Sequence, residues 1–136
     1  MRKYLQPKIV FRVCSTYGMG LSLLLSSGYF TPRCIEIFMP DGPAALGTHG
    51  AYWQRWQAVS CLFVATINRY ALGWSDTKAS NDLLKANVLV FGLWGLQLAH
   101  LSFAPDFCDK FQSAMKLHTF ASVCCGIYAF ATYTQQ

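Results

Sequence analysis

Charged positions divide the chain into three long uncharged runs, 13–32, 86–105 and 117–136. Each has about twenty residues, enough for a helix rising about 1.5 Å per residue to cross a hydrocarbon layer of roughly 30 Å. A fourth run, 56–68, is shut between Arg55 and Arg69 and is too short to cross by itself. Extended to 51–74 it becomes long enough, with both arginines snorkelling outward from its ends. Tyr52, Trp53 and Trp56 at one end, and Tyr70 and Trp74 at the other, favour the extension, because amphipathic rings settle at the two interfaces of a bilayer. The pattern predicts one all-α integral membrane domain over 1–136. Its form is a four-transmembrane-helix antiparallel bundle with helices at about 9–32, 51–74, 83–104 and 114–134. Breakers agree: Pro32, Pro40, Asp41-Gly42-Pro43 and Gly47 mark a loop at 33–50, 75–82 reads as a polar turn, and Pro105-Asp106 ends the third helix. Ser80 or Asn81 is the expected cap of that helix.

Composition sharpens this picture. The 136 residues are 54% hydrophobic and only 12% charged, with a mean hydropathy of +0.28, against roughly 25% charged in an average soluble domain. A soluble domain this small has a large surface relative to its volume, and so thin a coat of charge does not cover it. The same apolarity excludes intrinsic disorder.

The net charge of +5 is sided. Under the four-span arrangement, one face holds the N-terminus, the second loop and the C-terminus. It carries Arg2, Lys3, Lys8, Arg12, Arg69, Lys78 and Lys85 against Asp76 and Asp82. The other face, which includes the loop 33–50, carries Arg33, Arg55, Lys110 and Lys116 against Glu36, Asp41, Asp106 and Asp109. By the positive-inside rule both termini fall inside, which in an organelle is the matrix or stroma. Arg2, Lys3, Lys8 and Arg12 are expected to meet anionic lipid headgroups, so the positive charge calls for no nucleic-acid partner. The early cations suit either a secretory leader or an uncleaved mitochondrial signal. Ser26-Ser27-Gly28 is a poor cleavage site, and a retained first helix is expected.

Packing in lipid relies on small residues and on polar groups that bond between helices. Gly18, Ser22 and Ser26 stand at four-residue spacing in the first helix, Gly95 and Ala99 in the third, and Ala121, Cys125 and Ala129 in the fourth, beside Ser122 and Gly126. These stripes are expected to face inward. Phe63, Phe91, Trp94, Phe120, Tyr128 and Phe130 are expected to face lipid, a pigment or another subunit.

Candidate chemistry centres on histidine. His49, His100 and His118 all fall toward the outer side, and the short connection between the third and fourth helices puts His100 and His118 at similar depth. An imidazole in an apolar layer is a ligand for haem iron or chlorophyll magnesium, or part of a quinone-site proton network. Alternatively, Gln97, one turn before His100, makes a simple hydrogen bond across the bundle, and His118 lies among headgroups. The six cysteines form no CxxC or Cys/His metal pattern. Within the helices they read as small apolar residues, whereas Cys34 and Cys108 lie in outer loops where an oxidising compartment permits a disulfide. Glu36 and Asp41 are a carboxylate pair tied to no nucleophile or metal, and Arg55 is a salt-bridge partner for either. No GxSxG, HExxH, P-loop or GxGxxG occurs, so no metal site and no catalytic residue is assigned.

The order of features resembles the small DoxX-like four-helix membrane proteins from about Val13 to Tyr133. It rests on prolines after the first helix (Thr31-Pro32, Met39-Pro40), Trp53-Gln54-Arg55-Trp56 opening the second, and Lys85-Ala86-Asn87 entering the third. The resemblance implies a four-helix bundle and carries no catalytic residues over. The functional expectation is a non-catalytic accessory subunit of a multisubunit electron-transfer membrane complex, respiratory or photosynthetic, in the mitochondrial inner membrane or the thylakoid. Its expected partners are neighbouring subunits and bound lipids. Two alternatives stand beside it: a free-standing haem-, chlorophyll- or quinone-binding redox protein using His100 and His118, and a small transporter, which the scarcity of broken spans disfavours.

Overall fold

The computed structural model describes residues 6–30, 47–103 and 109–135, with side chains described for 6–26, 55–103, 112–113 and 115–135. Regular structure among these residues is entirely helical: α1 (Pro7–Phe30), α2 (Gly47–Ala71), α3 (Thr77–Ser102) and α4 (Asp109–Tyr133). Two of the four, α1 over Pro7–Ser26 and α3, are long and apolar enough to cross a membrane by length and composition. The other two are interrupted by polar side chains, among them Arg55, Gln57 and Asn68 in α2 and Gln112, Lys116 and His118 in α4.

Local chemistry explains the helix ends. Proline stands at the first position of α1, where its missing N–H is no loss and its fixed φ suits the helix. Asp76 caps α3, its carboxylate accepting from the N–H of Lys78 at 2.8 Å and of Ala79 at 3.2 Å. This corrects the expectation that Ser80 or Asn81 would cap this helix. A carboxylate four to five residues upstream satisfies the first orphan donors and complements the helix dipole, so Ser80 and Asn81 become part of the first turns. Beyond α2, the N–H groups of Leu72, Gly73 and Trp74 donate to the carbonyls of Arg69, Tyr70 and Ala71. These tightened turns close the end of α2 before the chain enters α3.

The helices pair as two hairpins: α1 lies along α2, α3 lies along α4, and α1 makes lighter contact with α4 and α3. Small residues set the close approaches. A Cβ on Gly18 would lie 3.0 Å from the Cys61 carbonyl oxygen and 3.2 Å from the Ala65 Cβ, and one on Gly95 would lie 3.0 Å from a Val123 methyl. Gly18, Ser22, Gly95, Ser122, Cys125, Gly126 and Ala129 are buried, and Ser26, Ala99 and Ala121 are half-buried, so the anticipated stripes do line the helix contacts. Neighbouring helices run antiparallel. Val10 and Phe11 near the start of α1 share one cluster with Ala71 at the end of α2, Leu84 near the start of α3 and Ala129 near the end of α4.

Phe63, Phe120 and Phe130 are exposed and Trp94 and Tyr128 half-buried, but Phe91 is 0% exposed, which corrects its placement on the outer face. Its ring meets Trp94 edge-on at 5.4 Å and lies 6.1 Å from Tyr17. Its carbonyl accepts from the Ser122 hydroxyl at 2.9 Å. The small neighbours on α4, Ser122, Cys125 and Gly126, leave room in the bundle that only a large ring fills.

The interior mixes apolar and polar side chains, and much of the outside is apolar. Buried polar side chains include Ser15, Ser22, Asn68, Asn87, Ser102, Ser122 and Thr132, while among the described residues seventeen large apolar side chains on the four helices are exposed, among them Leu23, Trp56, Phe63, Leu93, Leu96, Phe120 and Ile127. Among the described residues, only Val10, Phe11, Leu84 and Phe91 are fully buried apolar side chains of valine size or larger.

Candidate functional site

Two polar assemblies occupy the interior. The first joins α2 to α3. Asn68 Nδ2 donates to Asn87 Oδ1 at 3.1 Å, Asn87 Nδ2 donates back to Asn68 Oδ1 at 2.8 Å, and Asn68 Nδ2 also donates to the Val64 carbonyl at 2.9 Å. Both residues are buried, at 1% and 2% exposure. A reciprocal amide pair satisfies the groups whose desolvation would otherwise oppose burial, and it fixes the register of one helix against another.

The second assembly lies in the seam between α1 and α4. The Tyr17 hydroxyl donates to the backbone carbonyl of His118 at 3.1 Å, and the two rings lie 6.3 Å apart at 39°. One turn before Tyr17, Cys14 belongs to the same buried cluster as Cys125 of α4. Cys61 of α2, behind the Gly18 contact, accepts from Gln57 Nε2 at 3.9 Å. Farther along α4, Thr119 donates to the Met115 carbonyl and meets Ser102 of α3 at 3.5 Å.

Of the histidines singled out in the sequence, His118 is half-buried against α1, and His100 is exposed in the last turn of α3, as is Gln97 one turn earlier. His118 is thus engaged by Tyr17 through its backbone carbonyl, and among the described residues Gln97 makes no bond across the bundle. Lys8 and Arg12 are exposed near the start of α1. Arg2, Lys3, Cys34, Cys108, Glu36 and Asp41, and the side chain of His49, lie outside the described residues. Among the described residues, no three His, Cys, Asp or Glu side chains are grouped to hold a metal ion.

The asparagine pair is the feature that reading for charge overlooked. Asn68 closes one uncharged run and Asn87 nearly opens another, so both looked like boundary residues. The available signal was the residue type, since an amide within an apolar helix needs a partner, but α2 holds Gln54, Gln57 and Asn68 and α3 holds Asn81, Asn87 and Gln97, so residue type alone did not select the pair.

Comparison with protein-family models, with curated proteins and with solved structures finds no match.

Proposed function

We propose that the protein is an integral membrane four-helix bundle acting as a non-catalytic accessory subunit of a multisubunit electron-transfer membrane complex, in the mitochondrial inner membrane or the thylakoid. The observation that carries the membrane reading is the apolar exterior of the bundle. Among the described residues, seventeen exposed large apolar side chains spread over all four helices far exceed the scattered surface hydrophobes of a soluble monomer. Lipid makes such a surface favourable, and it leaves small residues and interhelical hydrogen bonds to hold the helices together. Orientation has its own support. The starts of α1 and α3 share one end with the finishes of α2 and α4, and the exposed cations Lys8, Arg12, Arg69, Lys78 and Lys85 lie toward that end. It faces the matrix or stroma in this reading, with Lys8 and Arg12 each gaining about 1 kcal/mol from anionic headgroups.

The narrower role follows from proportion. The chain spends most of its length on helices whose outward faces are apolar and aromatic, which suits a part that fills space between neighbouring subunits and lipids. Mild detergent extraction followed by native electrophoresis and identification of co-migrating polypeptides tests this. The expected result is migration within a large assembly containing redox subunits. Quantitative recovery as a small free species would overturn the subunit role, and release into the aqueous phase by alkaline carbonate would overturn the membrane role. A Soret or chlorophyll band in the purified chain would favour the ligand-binding alternative at His118 instead.

A further inference from the structure

The outward face of α3 carries chemistry that lipid does not satisfy. Leu89, Leu93 and Leu96 are 66%, 65% and 71% exposed, and Ala86 and His100 are exposed in line with them. Their alternating spacing is that of the a and d positions of a heptad seam, with Ala86, Leu93 and His100 at a and Leu89 and Leu96 at d. The opposite side of α3, with Asn87, Phe91 and Gly95, is buried in the chain's own bundle. Among the described residues, the exposed side chains of Gln97 and His100 make no hydrogen bond. Counted from Lys85, Gln97 lies about 18 Å along the helix, inside a hydrocarbon layer of roughly 30 Å, where an unpaired amide is costly. A Cβ on Gly92 would meet nothing within 4 Å. The chain's own packing therefore gives no reason for a residue that weakens a helix relative to alanine. Gly92 stands at a g position and Gln97 at the following e position, the pair that meets across two parallel helices.

We propose that a second copy of the chain docks on this face, α3 against α3 in parallel about a two-fold axis normal to the membrane. The proposal rests on the membrane reading above, in which all copies share one orientation. A two-fold axis sets like residues of the seam against one another, so the seam must be self-complementary. The leucines meet leucines, and a neutral imidazole offers one donor and one acceptor, so the two His100 side chains bond each other. Each Gln97 amide lies over Gly92 of the second copy, where no side chain covers the backbone, and donates to the free lone pair of a carbonyl there. Both bonds are of the interhelical kind that holds helices together in lipid. The chain uses the same chemistry in its interior, where Asn68 donates both to Asn87 and to the Val64 carbonyl.

The test uses the full chain carrying Cys34→Ser, Cys108→Ser and Cys124→Ser, in membranes washed with alkaline carbonate and oxidised with copper phenanthroline. Covalent dimers are expected with Leu93→Cys and with Leu96→Cys. None is expected with Phe63→Cys on α2 or Phe120→Cys on α4, positions that are 65% and 69% exposed. Energy transfer between labelled wild-type chains in detergent gives the dissociation constant. Gln97→Leu is expected to raise it about three- to twentyfold, the range spanned by single interhelical hydrogen bonds. Gly92→Ala is expected to raise it as well while making the single chain harder to unfold, opposite signs that misfolding does not produce. Dimers formed equally at Phe63 and Phe120 overturn the proposal, as do cross-links from α3 to a different polypeptide alone. Chains that stay in the washed membrane without any α3 cross-link overturn the dimer and leave the membrane reading standing. Release of the chain by carbonate overturns that reading and the dimer with it.

Discussion

Replacing Asn68 by leucine strips Asn87 of its amide partner inside the bundle, and an unsatisfied buried polar group costs about 1–3 kcal/mol. In lipid the net loss for one interhelical hydrogen bond is smaller, about 0.6 kcal/mol on average, so a reciprocal pair is expected to fall between these values. Unfolding of the detergent-solubilised protein checks this: Asn68→Leu and Asn87→Leu are each expected to destabilise. The double variant should lose less than the two single losses combined, because no orphaned amide remains. Glycines offer a second contrast within one helix. A methyl at Gly18 meets the Cys61 carbonyl at 3.0 Å, whereas one at Gly20 meets nothing within 4 Å. Gly18→Ala is therefore expected to force α1 from α2 at about 1–3 kcal/mol, and Gly20→Ala to stabilise by up to about 1 kcal/mol through helix propensity. Equal effects at the two positions in the same unfolding assay would show that the α1–α2 approach is looser than 3.0 Å. The stripe containing Gly18 was legible in its spacing, but the difference between Gly18 and Gly20 was not, because it depends on which side of α1 the Ala65 turn of α2 occupies.

At the scale of the helix, the start of α3 shows how a local rule competes with hydropathy. Charge at Asp76, Lys78 and Asp82 made 75–82 look like a turn, yet the Asp76 carboxylate organises that stretch into the first turns of α3. Asp76→Ala removes the cap and is expected to cost about 1 kcal/mol, while Asp76→Asn retains most of it. Hydrogen exchange reads this locally: amide protection at Lys78 and Ala79 is expected to drop in the alanine variant and persist in the asparagine variant. Protection unchanged in both would mean that tertiary packing alone holds this turn. The existence and order of the four helices could be read from runs of apolar residues and from Pro and Gly punctuation, but α2, α3 and α4 begin at Gly47, Thr77 and Asp109, before the expected starts at 51, 83 and 114. Phe91 could not be placed that way. Its neighbours Leu89 and Leu93 are exposed while it is buried, and in a helix apolar on every side no polar face marks the inward direction.

For the whole molecule, charge and composition foretold the apolar exterior, since a chain with 12% charged residues has little else to present outward. The pairing of helices was not legible, because antiparallel neighbours in sequence satisfy the same hydropathy pattern whichever pairs pack most closely. The observed preference, α1 with α2 and α3 with α4, divides the chain at the short connection formed by Leu72 to Asp76. Each half is a self-paired unit of the kind that behaves as a separate cooperative element, and the surfaces by which the halves recognise one another are compact: the asparagine amides, the Tyr17 bond and the small buried cluster that includes Cys14 and Cys125. The protein should therefore tolerate being made in two pieces. Fragments 1–74 and 75–136, expressed together in one membrane, are expected to co-purify through a tag on either one. Asn87→Leu in the second fragment is expected to lower the yield of the pair far more than the same change lowers recovery of the intact chain, because a severed connection leaves recognition to those few contacts.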